Sequence, residues 1–98
     1  MNAPRFYVDF NEMLEPDLVL LAQHDQKADS AGNLVSLFEG LPVAVYSDDK
    51  DAHGQIDNLV ANGIVEKNTY TDGWSRAAKW LCRISEPGIR HESETHSS

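Results

Sequence analysis

The chain has 98 residues, of which 41% are hydrophobic and 24% are charged, and this composition predicts one folded domain. Sixteen acidic and eight basic residues give a net charge of −8, which disfavours nucleic acid as a partner because phosphate binding draws its affinity from lysine and arginine. No apolar stretch approaches the roughly 20 residues of a membrane span, and the start of the chain lacks the pattern of a signal peptide.

A single cysteine, Cys82, leaves no intrachain disulfide to form, which together with these absences predicts a cytoplasmic location. We expect a monomer that does not bind a membrane. Residues 1–4 are expected to form a flexible N-terminus, residues 5–91 a single β domain, and residues 92–98 a disordered polar tail.

Short segments in the first half of the chain have the pattern of β-strands. Residues 5–10 alternate between apolar and polar side chains, and residues 18–23 form an apolar run typical of a strand buried on both faces. Further strands are predicted over residues 34–38 and 41–46, and in the latter Leu41, Val43 and Val45 alternate with their neighbours and share one face. Pro42 indicates that the latter is an edge strand or that Pro42 is its first residue.

The second half of the chain leaves more alternatives open. Within the strand predicted over residues 59–66, Asn62-Gly63 indicates either a hairpin turn or a bulge in one bent strand. Residues 74–84 fit a helical face almost as well as a strand. We predict one helical turn over 75–78 followed by a strand over 79–84, with a helix over 74–84 as the alternative. Residues 85–88 then predict a hairpin turn.

Six or seven short strands with turn-rich connections predict a mainly β domain, in the form of a small antiparallel SH3-like barrel or barrel-like sheet with at most one short helical turn. A helix over 74–84 would instead make the fold α+β. Segments 39–46, 61–66 and 78–84 read EGLPVAVY, ANGIVE and AKWLCRI. In this pattern the chain resembles short conserved bacterial proteins of unknown function, and the resemblance implies no activity, ligand or catalytic residue.

The acidic loop over residues 49–57 matches the first nine positions of a calcium loop in spacing. Asp49, Asp51 and Asp57 would be the metal ligands at positions 1, 3 and 9. Two residues depart from that pattern, because His53 takes position 5 and Val60 stands where a bidentate glutamate belongs. The loop is therefore interpreted either as a weak calcium site or as a solvated acidic loop.

Basic residues are concentrated near the end of the chain. Residues 67–90 contain five bases and two acids, a net charge of +3, whereas residues 1–66 contain three bases and twelve acids, a net charge of −9. This excess is interpreted either as the solvated faces of strands or as a basic face that, with an aromatic residue, suits the docking of a protein partner. The candidate partner-binding residues are Trp74, Arg76, Lys79 and Arg83.

No catalytic motif is recognised in the sequence, so we predict a non-enzymatic binding or accessory domain without a cofactor. Two alternatives remain open. One is the weak calcium-binding protein described above. The other is a small enzyme that uses Cys82 as a nucleophile, although a buried structural cysteine is the simpler interpretation of this residue.

Overall fold

The computed structural model describes residues 3–50, 52–70, 73 and 78–93, and these residues form a mainly β fold. Their strands are β1 (Arg5–Tyr7), β2 (Met13–Glu15), β3 (Leu18–Ala22), β4 (Gln26–Ala28), β5 (Leu34–Ser36), β6 (Pro42–Ser47), β7 (Leu59–Lys67), β8 (Trp80–Ile84) and β9 (Arg90–His91). Within the described ranges, no helix has the length and apolar character needed to cross a membrane.

Seven of the strands belong to one mixed sheet. Six follow the order β1-β6-β7-β8-β3-β2, and β9 pairs with β7 beside β8. All pairs are antiparallel except β1 with β6, which is parallel. Strands β4 and β5 form a separate hairpin. The predicted β class is thus confirmed, but a parallel pair and a second sheet replace the expected all-antiparallel arrangement.

The sheet is curled but open, so the prediction of a closed barrel was wrong. Its two edge strands, β1 and β2, are consecutive in sequence and joined by residues 8–12. An extended connection of that length spans at most about 20 Å, whereas five strand spacings of a flat sheet amount to about 24 Å. The sheet therefore bends its edges toward each other, yet β1 and β2 do not pair.

Strand β7 runs straight through Asn62-Gly63 and forms neither a hairpin turn nor a bulge there. Its register with β6 is unbroken from Leu59 to Ile64. A Cβ atom built on Gly63 would lie 2.5 Å from the Arg83 carbonyl oxygen and 2.5 Å from the Cys82 sulfur. The glycine therefore serves the close approach of β8 rather than a turn.

The expected hairpin turn over residues 85–88 was also wrong. Both β8 and β9 run antiparallel to β7, on the same side of it, so the chain continues in one direction after the loop. The Glu86–Pro87 peptide bond in this loop is cis. The loop shifts the register with β7 by three residues, since Ile84 faces Gly63 whereas Arg90 faces Val60.

The main core lies inside the curl, on what we call the inner face of the sheet. It includes Phe6, Val43, Val45 and Val65, each at most 1% exposed. The alternation predicted around Val43 and Val45 is confirmed. Pro42 begins β6, which is a central strand, so the first-residue interpretation was correct and the edge interpretation was not.

Strand β3 is buried on both faces, as its apolar run predicted. Val19 and Leu21 join the main core, while Leu18 and Leu20 pack with Leu81 in a smaller cluster on the opposite, outer face. Because strand side chains alternate between faces, this single strand connects the two cores.

Strand β8 confirms the strand predicted over residues 79–84. Trp80–Ile84 pairs with both β7 and β3, which excludes a helix through those residues. The predicted helical turn falls mostly on residues 75–77, which lie outside the described ranges.

Candidate partner-binding groove

A wide groove opens where the β4–β5 hairpin meets the ends of β7 and β8, and we call it the β5–β8 groove. Its volume is about 790 Å³. It is lined by His24, Asp25, Gln26, Leu34, Ser36, Leu37, Lys67, Lys79 and Trp80. The groove brings residues 24–37 next to residues 67–80, and Lys67 faces Trp80 in the β7–β8 register.

The polar end of this groove is organised by Asp25. Its Oδ1 atom lies 2.6 Å from the Lys79 ammonium nitrogen and accepts a hydrogen bond of 3.1 Å from the Trp80 indole nitrogen. These contacts, that of Lys79 first, hold the pKa of Asp25 below its ordinary value. The carboxylate therefore stays charged near neutral pH and orients both the ammonium group and the indole ring.

The hairpin contributes the apolar side of the groove. Leu37 is buried against the main core, and its N–H donates to the carbonyl oxygen of Asp25 at 2.7 Å, which ties the hairpin to the groove rim. Leu34 is 65% exposed. Trp80 is half-buried and packs against the main core. The groove thus combines an exposed leucine, an indole and a hairpin backbone that is hydrogen-bonded to the groove rim.

The charge of the groove differs in sign from that of the whole molecule. Lys67 and Lys79 outweigh Asp25, whereas the chain carries −8 overall. In the described part of the chain, Lys67 forms no ion pair. An ammonium group without an ion pair, at the rim of a groove that also contains two leucines and an indole, suits a ligand that has both carboxylates and apolar side chains.

Arg83 belongs to a different surface from Lys79, although both were predicted to bind a partner. On the outer face its guanidinium donates to Glu15 at 3.0 Å, to Asp17 at 2.8 Å and to Glu66 at 3.2 Å. The hydroxyl of Tyr70 also donates to Glu15, at 2.6 Å. The charge of Arg83 is therefore compensated within the fold.

This network also shifts the pKa values of its members. The Tyr70 hydrogen bond, followed by that of Arg83, lowers the pKa of Glu15. The carboxylates, led by Glu66, raise the pKa of Arg83 further above its ordinary value. Because the three acids come from the β2–β3 hairpin and from β7, Arg83 joins these elements to β8. The other two predicted partner-binding residues, Trp74 and Arg76, lie outside the described ranges.

The acidic loop connects β6 to β7 as an extended hairpin closed by a bridge between Lys50 and Ile56. Its aspartates accept hydrogen bonds from the end of the described chain. Asp49 lies 2.8 Å from Nε2 of His91, and Asp57 accepts bonds of 2.9 Å from both the N–H and the hydroxyl of Ser93. These contacts lower the pKa of Asp49 and of Asp57.

The third predicted calcium ligand, Asp51, lies outside the described ranges. Among the side chains that are described, no three of the histidine, cysteine, aspartate and glutamate type converge on one point. In the described residues Asp49 and Asp57 are hydrogen-bonded to His91 and Ser93. Calcium binding stays a prediction.

Cys82 is buried, as the sequence predicted, with 0% exposure. Burial, aided by the charge of Glu66, raises the pKa of its thiol to about 12. The nucleophile in cysteine chemistry is the thiolate. A neutral thiol enclosed between β7 and β3 has neither the charge nor the access for that role.

A second groove, of about 400 Å³, lies at the open seam between β1 and β3. Its apolar lining includes Val8, Leu20 and Leu21, and its charged lining residues are Asp9, Glu12 and Lys27. Its β1 edge is short and partly covered, since the Arg5 carbonyl accepts a 2.7 Å hydrogen bond from Ser30 N–H. A covered three-residue edge offers little backbone for an added strand, so the β5–β8 groove is the stronger candidate.

Leu34, Asp25 and Lys67 were not predicted from the sequence to be members of one site. The positive excess of residues 67–90 was the available signal, and it pointed to the correct part of the chain for Lys67 and Lys79. The strand register and the position of the hairpin over β8 were needed to place Asp25 and Leu34 beside these lysines.

No protein-family model, curated protein or solved structure matches this chain, and the resemblance to short conserved bacterial proteins remains a prediction.

Proposed function

We propose that this domain is a non-enzymatic binding module that docks an extended acidic and apolar segment of a protein partner in the β5–β8 groove. The observation that carries the proposal is the convergence of Lys67, Lys79 and the half-buried Trp80 on one groove, beside Leu34 and Leu37, of a strongly acidic molecule. Carboxylates of the partner would meet the two ammonium groups, and its apolar side chains would contact Leu34 and the indole.

Two features support a binding role over catalysis. The one cysteine is buried with a raised pKa, so a Cys82 nucleophile gains no support. The groove also places lysines beside an indole and a leucine, a combination suited to contact rather than to acid–base chemistry. The proposed setting is a monomer in the cytoplasm, which follows from the sequence-based expectations.

Peptide pools test the proposal directly. We would titrate the ¹⁵N-labelled protein with acetylated, amidated octapeptides that combine leucine or phenylalanine with aspartate or glutamate. A second pool replaces every acid with lysine. We expect the acidic pool to shift the Trp80 indole N–H signal, because that group lies in the groove beside Lys79. The basic pool should leave the signal unchanged.

Charge-reversed variants supply the matched comparison. Lys67→Glu should weaken binding of the acidic pool about three- to tenfold, the range expected for reversing one rim charge. Lys50→Glu makes the same charge change in the exposed acidic loop and should have little effect. The proposal is wrong if the acidic pool produces no groove shifts, or if the two variants bind it equally well.

A further inference from the structure

A small pocket on the outer face of the sheet is distinct from the β5–β8 groove. Its volume is about 250 Å³, and its lining includes Arg5, Ala44, Val60, Asn62, Arg90 and Glu92. Strand pairing explains the grouping: Arg5 faces Ala44 and Ala44 faces Asn62, while Val60 faces Arg90. Paired residues point their side chains to the same face, and the small side chain of Ala44 leaves the space between the arginines open.

Arg90 is a partly buried cation without a counter-ion in the described part of the chain. It takes part in no ion pair there, and its Nη1 atom is buried without a hydrogen-bond acceptor. A guanidinium group stays charged at any physiological pH. Buried charges are ordinarily paired, so the pocket has an unmet requirement for negative charge.

The contacts of Arg5, the second arginine of the pocket, indicate which class of chemical group the pocket can bind. Arg5 donates to the carboxylate of Glu92 at 3.2 Å, and its guanidinium lies 4.7 Å from the centre of the Tyr46 ring. The aromatic ring fixes the position of the Arg5 fork. The Glu92 carboxylate therefore already binds Arg5 on one side of the pocket. On the other side, Arg90 is available to bind a second oxyanion.

We propose that this pocket binds a compact oxyanion, the carboxylate or phosphate group of a small molecule, between Arg90 and Arg5. Guanidinium forks recognise both groups through paired N–H donors. The volume lies below the roughly 300 Å³ at which pockets begin to hold drug-sized ligands, which limits the ligand to a small anion or a single anionic group. This site does not depend on the proposed peptide groove, because the two share no residue.

The test uses inorganic phosphate and acetate as separate probes against the whole chain. Each is titrated into ¹⁵N-labelled protein at constant ionic strength, with potassium chloride as the reference. We expect saturable shifts of the Arg5 and Arg90 side-chain N–H signals and of the Asn62 amide, with a dissociation constant of about 1 mM. Saturation by phosphate alone, by acetate alone or by both identifies the class of oxyanion. Shifts that stay linear and match those of chloride overturn the proposal.

Variants then decide whether Arg90 is responsible. Arg90→Gln should weaken binding at least tenfold and Arg90→Lys about fivefold, because lysine lacks the fork. Glu92→Gln should strengthen binding several-fold, as it removes the carboxylate that competes for Arg5. Lys50→Gln, the charge-matched control, should bind like the natural chain. Equal affinity in Arg90→Gln and Lys50→Gln refutes the site, and so does weaker binding in a Glu92→Gln protein whose ¹⁵N spectrum keeps the dispersion of the natural chain.

Discussion

Replacing Gly63 with alanine should destabilise the domain strongly, although alanine is ordinarily the better residue within a strand. The added Cβ would lie 2.5 Å from the Arg83 carbonyl oxygen and 2.5 Å from the Cys82 sulfur. Both contacts are about 1 Å shorter than the van der Waals distance of carbon atoms in proteins. Strand β8 is unable to move away freely, since it is paired with β7 on one side and with β3 on the other.

The magnitude follows from two opposing effects. Forcing an extra methyl group into a packed interior costs about 1–3 kcal/mol. Removing the backbone freedom of a strand glycine returns roughly 0.5–1 kcal/mol. Because β8 is held on both sides, we take the overpacking cost from the upper part of its range. Subtracting the gain from the lost glycine freedom leaves an expected loss of about 2 kcal/mol in the free energy of unfolding. For a chain of this size, such a loss lowers the melting temperature by about 10 °C.

Urea denaturation followed by tryptophan fluorescence measures this loss. Asn62→Ala is the control, because Asn62 is the adjacent residue and is exposed, and its change should stay within about 0.5 kcal/mol. In a Cys82→Ala background the cost of Gly63→Ala should fall but persist, since the carbonyl contact remains. A Gly63→Ala protein as stable as the natural chain would refute the close approach of β7 and β8.

Four further outcomes are expected. Tyr70→Phe should raise the pKa of Glu15 and lower the free energy of unfolding at pH 7. The difference in stability between the variant and the natural chain should disappear as the pH falls through the lowered pKa of Glu15, because a depressed carboxyl pKa stabilises the fold only while the carboxyl group is ionised. His91→Gln should raise the pKa of Asp49, measured by carboxyl ¹³C NMR, since His91 is the largest cause of its depression. Calcium should shift the Asp49 amide only near millimolar concentration; saturation below about 0.1 mM would show a better site than this loop predicts. A disulfide reagent should react with Cys82 only after denaturation, and reaction in the native state would contradict its burial.

Short-range patterns were sufficient wherever neighbours in sequence decide the structure. The alternation around Val43 and Val45 and the apolar run of β3 correctly indicated buried strands. These predictions succeed because side chains alternate across a strand whatever its partner is. At Gly63 the local pattern did not decide the structure, because a close approach by another strand and a turn both require glycine.

The sequence by itself determined the β class, the buried cysteine and the segment that supplies Lys67 and Lys79. Only the tertiary structure decided that the sheet stays open, that β9 continues along β7, and that Arg83 is neutralised by acids far away in the chain. The physical reason is that strand partners, and the charges that meet across them, are set by pairing between distant segments. Composition and periodicity describe each segment separately, whereas both proposed binding sites are products of how those segments are brought together.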